Sequence, residues 1–432
     1  MPDYAELTLP YLLNRHNPLV NGAGDIVLPD YNGYGLSSIP ATVSALLGGP
    51  QLNTASLMPQ ISERIGEHYQ NVVLILVDAL GYDHFLRLMV QGYAEFWCEN
   101  LPQAGLFALS SVSPSTTASA LTTLWTGTEP SIHGYIGYEM WLKEYSMTIN
   151  SILHCPTSFI SDNGGLQRAG FIPEEFLGLP TLGELFNRAS IESHAFLPYT
   201  IGNSGLSRMH MQQTNLHGYV AESDLWADLR DLLNLHCGNP RFLYVYWPTL
   251  DTLIHRYGPD DMRIAAHFAE FSRTLAENFL SGLEQSARES TILLLTADHG
   301  AVATPPDEYY NLNAHPELNQ MLRMLPTCES RLPFLFLKPG TEAAVREYFA
   351  QAWPGEFTLI KGEEAIAAQL FGRLPENPVL TDRVGDLVAL PHNNAYLWWP
   401  NHINMMQGRH GGLSRLEMLI PLYALPLDEF KH

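Results

Sequence analysis

The sequence predicts an α/β fold: a mainly parallel central sheet sandwiched by helices, with a small inserted α+β subdomain. Three observations lead there. Strand-length apolar runs recur along the 432 residues, stretches with helical spacing separate them, and no linker-like segment divides the chain. Runs apolar at every position, rather than at every second one, suit strands buried on both faces. Burial on both faces goes with parallel pairing and crossover helices.

The first such run is NVVLILVD (71–78), followed by the helical pattern HFLRLMVQGYAEFW. SHAFLPY (193–199), RFLYVYW (241–247) and STILLLTADHG (290–300) repeat it, with one long helix expected between the last two, over about 262–287. The stretch 331–375 differs: RLPFLFLKPG, TEAAVREYFAQAW, EFTLIKG and EEAIAAQLFG read as strand, helix, strand and helix. This pattern assigns 1–330 and 376–432 to the core and 331–375 to a small inserted α+β subdomain. The chain returns to the core through VGDLVALP, NAYLWWP and a final MLIPLYAL.

Composition narrows the partners. With 23 basic and 45 acidic residues the formal net charge is −22, a surface that repels nucleic-acid polymers and anionic membranes. No apolar run approaches the roughly 20 residues that span a bilayer, and the first residues lack the pattern of a signal peptide. The four cysteines, Cys98, Cys155, Cys237 and Cys328, show no CxxC spacing, so neither a zinc knuckle nor a disulfide framework is expected. The expected location is the cytoplasm.

Three of the apolar strands end in acids or acid–histidine pairs. LILVD ends at Asp78, YVYWPTLDTLIH sets Asp251 and His255 one helical turn apart, and LLLTADHG ends at Asp298 and His299. GRHGG adds His410 in a glycine-rich loop. Singly these are ordinary: a strand-end Asp caps turns, and an i, i+4 pair lies on a solvated helix face. Jointly they are not, because ligands of open α/β sheets collect at the carboxyl ends of the strands. Three carboxylates and three imidazoles suit two divalent cations of the zinc, manganese or iron type, with zinc the first choice. The four positive charges of two such ions exceed those of three carboxylates by about one. A small phosphate ester anion fits that balance on an otherwise acidic protein. A separate stretch, SPSTTASALTTLWTG (113–127), is crowded with hydroxyl groups. One of them is a candidate nucleophile, and all are also candidates for turn and helix-cap roles.

VVLILVDALGYD, PSTTASALTTLWTGTEPSIHG, DTLIHRYGP, TADHG and GRHGG occur in the order seen in the alkaline phosphatase superfamily. More narrowly, the chain resembles the type I phosphodiesterase/nucleotide pyrophosphatase branch. The resemblance implies an alkaline-phosphatase-like core and one metal ion held by Asp251, His255 and His410. It implies a second ion held by Asp78, Asp298, His299 and the oxygen of Thr117. The nucleophile of this branch lies three residues after a proline and ten before the glycine of a Thr-Gly pair. Both counts reach Thr117, with Thr116 the second candidate. The implied reaction is attack of Thr117 on phosphorus, followed by hydrolysis of a phosphothreonine.

The match departs at Tyr138, which stands where nucleotide pyrophosphatases carry a phosphoryl-binding asparagine. Tyr138 and Trp141 are candidates to line a substrate pocket or to pack in the core. The alternatives on the same scaffold are a phosphonate hydrolase of the phosphonoacetate hydrolase kind and a phosphomonoesterase or phosphomutase. An inactive metal-binding partner module is the alternative outside enzymes.

Overall fold

The computed structural model describes residues 4–20, 25–159, 162 and 164–428. Seven strands form the central sheet: β1 (Asn71–Val77), β2 (Gly105–Ser110), β3 (Glu192–Pro198), β4 (Asn215–Tyr219), β5 (Arg241–Trp247), β6 (Thr291–Thr296) and β7 (Leu419–Pro426). Their spatial order is β2-β7-β6-β1-β5-β3-β4. Only β7 runs against the rest, pairing antiparallel with β2 and β6. The other neighbours are parallel.

The apolar runs explain the middle of the sheet. Every residue of β1, β5 and β6 is buried, and branched or aromatic side chains fill both faces. The register then sets the rest. Leu76 of β1 lies opposite both Tyr246 of β5 and Thr296 of β6, so the three strands end in one row. Whatever follows them in sequence emerges along a single edge.

Two helices start from that edge. α1 (Thr117–Thr126) follows the hydroxyl-rich turn after β2, and all ten of its residues are buried. α2 (Thr249–Tyr257) begins two residues after β5 and carries Asp251 in its first turn and His255 in its last. The long helix expected over about 262–287 is interrupted. An α-helix runs Met262–Thr274, a wider turn covers Leu275–Phe279, a tight turn covers Leu280–Gly282, and a short helix follows at Gln285–Glu289. Arg230, from a neighbouring helix, lies against the break. It donates to the Asn278 carbonyl and packs on Gly282, where a Cβ would sit 2.5 Å from its Cδ.

A second, wholly antiparallel sheet takes seven strands in the spatial order 357–361, 387–391, 332–335, 327–329, 139–142, 147–150 and 155–156. The stretch 331–375 thus supplies two of its strands, while others come from the segment after α1 and from 387–391. No helix among the described residues is long and apolar enough to cross a membrane.

One glycine shows how closely the edge is packed. A Cβ on Gly300 would lie 2.0 Å from the Leu416 carbonyl oxygen and 2.8 Å from the Gly81 Cα. Gly300 also donates its N–H to the Glu417 carbonyl at 2.8 Å. Gly300→Ala must push these backbones apart. The expected cost is about 1–3 kcal/mol, read as a lower urea midpoint with an unchanged m-value.

Candidate metal centre

The six carboxylates and imidazoles singled out in the sequence come together at the row of strand ends. They form two groups, Asp78 with Asp298 and His299, and Asp251 with His255 and His410. Within each group the candidate ligand atoms lie within 4.8 Å of one another. The stacked rings of His299 and His410 join the groups, their centroids 3.7 Å apart.

Each histidine is held the same way. His299 Nδ1 bonds the Gly300 carbonyl at 3.0 Å, His255 Nδ1 the Gly408 carbonyl at 2.9 Å, and His410 Nδ1 the Ser115 carbonyl at 3.1 Å. A carbonyl only accepts, so Nδ1 carries a proton, and in the neutral ring Nε2 then keeps a lone pair. Those lone pairs face carboxylates. His299 Nε2 lies 3.3 Å from Asp298 Oδ2 and 3.6 Å from Asp78 Oδ1, and His255 Nε2 lies 3.2 Å from Asp251 Oδ1.

Asp298 Oδ1 accepts from the Ala79 and His299 N–H groups at 3.1 and 3.0 Å. Tyr246 Oη donates to Asp78 Oδ2. The remaining oxygens, Asp78 Oδ1, Asp298 Oδ2 and Asp251 Oδ1, are buried without a hydrogen-bond partner. Buried polar atoms are normally paired, yet here acceptors face acceptors. A cation in each group satisfies all of them, so the donor set fits two divalent ions. The neutral Nε2 ligand, with Nδ1 bonded to a carbonyl, is the arrangement metal-binding histidines adopt.

The electrostatics agree. Burial, then the charges of Asp298 and Asp251, hold the Asp78 carboxyl well above the usual carboxylate range. Burial, then His299 and His255, hold His410 well below the usual imidazole value, so it stays neutral. The Asp78 group is closed, with side chains at most 3% exposed, whereas Asp251 and His255 are 17% and 27% exposed.

The hydroxyl-rich turn lies against the same site. Thr117 Oγ1 is 3.3 Å from His299 Nε2. Thr116 Oγ1 instead donates to Glu329 Oε1, Ser115 Oγ to the Gly412 carbonyl, and Thr122 Oγ1 to the Ala118 carbonyl. The turn is tied to the His410 loop by a bridge between Ser115 and Gly411. That loop is fixed from below by the fully buried Arg331–Glu417 pair, whose carboxylate also accepts from Gly412 N–H and Ser414 Oγ.

Tyr138 reaches the surroundings of the site through its backbone, donating its N–H to Glu329 Oε1 at 3.2 Å, and the residue is 36% exposed. Trp141 is not brought to the carboxylate–imidazole set. It lines an open cleft of about 990 Å³ with Lys143, Phe336 and Lys361, none of them in the two groups. Strand pleating explains this: Met140 and Leu142 are buried in one small core while Trp141 points the other way. Tyr246, Glu329, Arg331 and Glu417 are participants that no sequence motif marked. The position of Tyr246, at the end of an apolar strand, is the one available signal.

Comparison with known proteins places this geometry. The sequence matches the profile of the type I phosphodiesterase / nucleotide pyrophosphatase family over residues 72–413. A sequence search of curated proteins gives no match. Among solved structures, murine ectonucleotide pyrophosphatase/phosphodiesterase 5 superposes with a TM-score of 0.60 at 17% identity, covering 82% of this chain and 87% of that one. The same protein in an inactive form, in complex with AMP, gives 0.59 at 17% identity with the same coverage. Phosphonoacetate hydrolase from Sinorhizobium meliloti 1021, in complex with phosphonoacetate, gives 0.59 at 15% identity, covering 82% and 89%.

Two expectations follow from the geometry. Tyr246→Phe keeps the ring but frees Asp78 Oδ2, and zinc affinity of the metal-free protein should fall by about 10- to 100-fold, as read by competition with a chelating dye. Because burial and the charges of Asp298 and Asp251 raise the proton affinity of the Asp78 carboxyl, protons compete with zinc for the metal-free site. Affinity should therefore rise with pH until the folded-state pKa of Asp78 is passed. Titration calorimetry in buffers of different ionisation enthalpy should show net proton release. With its family profile spanning the chain from β1 to the His410 loop, and its fold shared with solved relatives, the chain belongs to the type I phosphodiesterase / nucleotide pyrophosphatase family.

Proposed function

We propose that the protein is a two-metal hydrolase of small phosphate esters, of the phosphodiesterase or pyrophosphatase type, working through a phosphothreonine on Thr117. The observation that carries this reading is the position of Thr117 Oγ1. It is the first residue of α1 and lies 3.3 Å from His299 Nε2, against the two acceptor groups. Zinc is the preferred ion because the donors are imidazole nitrogens and carboxylate oxygens. Bound by Asp78, Asp298 and His299 and by Asp251, His255 and His410, two such ions supply Lewis acidity, acidify the threonine hydroxyl and offset the phosphoryl charge.

The chain's own groups do the remainder. Thr117 Oγ attacks phosphorus, forming the Oγ–P bond as the bond to the leaving oxygen breaks, and that oxygen departs with a proton. Water then adds to phosphorus and the Oγ–P bond breaks, restoring the hydroxyl. The start of α1 assists both steps. Its capping residue, Thr116, makes no side-chain cap because its hydroxyl is bonded to Glu329. The first N–H groups of the helix and its positive end are thereby left to phosphoryl oxygens. Burial of the surrounding side chains strengthens these interactions.

The relatives support a small anionic substrate: AMP is bound in one and phosphonoacetate in another. The second of these keeps a phosphonate hydrolase as the alternative.

Thr117→Ala should lower hydrolysis of bis-p-nitrophenyl phosphate by about a thousandfold or more, with metal content by elemental analysis near that of the parent. Turnover of phosphonoacetate but not of the diester would shift the assignment to the phosphonate reading. Full activity of the variant would remove Thr117 as nucleophile.

A further inference from the structure

The two edges of the central sheet are finished differently. At the β2 edge the outward backbone groups are occupied: Ala108 N–H donates to Thr8 Oγ1 at 3.2 Å, and Ser110 N–H to the Tyr34 carbonyl at 2.9 Å. At the other edge, β4 pairs only with β3. The Tyr219 carbonyl accepts from Tyr199 N–H at 2.9 Å, so Tyr219 turns its backbone groups inward. By alternation His217 and Asn215 do the same, while Leu216 and Gly218 turn theirs outward. Both of these residues are exposed, and no hydrogen bond among the described residues reaches their outward groups. The free stretch stops at Val220, whose N–H donates to Asp224 Oδ2 at 2.9 Å.

Solitary proteins usually blunt such an edge with a lysine, a proline or an inward-pointing charge. None is present here. Residues 214–220, TNLHGYV, include no charged residue and no proline, on a chain whose net charge is −22. Apolar side chains gather along the strip instead, with Leu216 40%, Tyr199 63% and Val220 76% exposed. Tyr199 lies over Gly218, where a Cβ would sit 3.2 Å from Tyr199 Cβ. Tyr199 and Leu216 therefore share one face of the sheet.

The strip is complementary to itself. Set antiparallel about a two-fold axis at His217, Leu216 comes opposite the partner's Gly218, and each such pair exchanges both backbone bonds. The bulky Leu216 then faces a residue without a side chain, beside the partner's Tyr199. The same register sets Glu222 opposite the partner's Gln212, so no like charges meet. Elsewhere the acidic surface opposes a second copy, whereas this strip does not.

We propose that β4 is a homodimerisation edge, at which two copies of this chain join their central sheets antiparallel across a two-fold axis through His217. The outward groups of Leu216 and Gly218 supply the bonds, and Leu216, Tyr199 and Val220 supply the apolar area.

The test is sedimentation of the zinc-loaded full chain, with a species of twice the chain mass expected at micromolar concentration. Leu216→Glu, at an exposed position, should weaken the dimer by about tenfold or more, because the axis counts each substitution twice. Its circular dichroism should match that of the parent. Register is read by crosslinking. Facing residues of a non-hydrogen-bonded pair lie about 4.5 Å apart at Cα, so mild oxidation of His217→Cys should give a covalent dimer. Asn215→Cys, two residues off the axis, should crosslink no more than the parent. A parent that stays monomeric at about 100 µM would overturn the proposal. So would a dimer that Leu216→Glu leaves intact, or one that His217→Cys does not crosslink. If Leu216→Glu does not fold, the two cysteine variants decide by themselves.

Discussion

The structure turns on an arrangement that is unfavourable by itself: hydrogen-bond acceptors packed against acceptors. Asp78 Oδ1, Asp298 Oδ2 and Asp251 Oδ1 face imidazole lone pairs in a largely buried space. Such a cluster costs free energy unless positive charge joins it. The parallel register of β1, β5 and β6 imposes it, because three strands that end in one row must deliver their next residues to one place. The backbone carbonyls of Gly300, Gly408 and Ser115 then turn each ring so that its bare nitrogen points inward. Preorganisation of this kind lets a site bind without rearranging its ligands.

Holding such a cluster requires rigid surroundings, and the chain supplies them from far along its length. The Arg331–Glu417 pair is bidentate, with both side chains fully buried, and its carboxylate also receives Gly412 N–H and Ser414 Oγ. Glu417 further accepts Gly300 N–H through its backbone carbonyl. One buried ion pair thereby fixes both the loop that carries His410 and the turn after His299. Breaking such a pair by removing one partner is costly, since the other is left as an uncompensated buried charge.

Much of this was legible in the sequence for a simple reason: continuous apolar runs and the polar residue that ends each one are local signals. Asp78, Asp251, Asp298 and their neighbours could be read because each directly follows or nearly follows a strand. The order of the motifs then supplied Thr117. What was hidden depends on long-range pairing. The second sheet joins 139–156 to 327–335 and 387–391 through short strands with too few residues to show a period. Glu329 sits in TCES, four residues without a pattern, and becomes adjacent to Thr116 only through that pairing. Trp141 lines a cleft away from the carboxylate–imidazole set, a placement that follows from the pleat of its short strand. At the interruption after Thr274, Arg230 bonds the Asn278 carbonyl, a contact no helical period encodes.

The unequal exposure of the two acceptor groups has a consequence for how cations enter and leave. Asp298 and His299 are sealed from solvent, while Asp251 and His255 line the open side. A cation held by the Asp251 group would therefore exchange with solvent more readily than one held by the Asp78 group, whose side chains solvent hardly reaches.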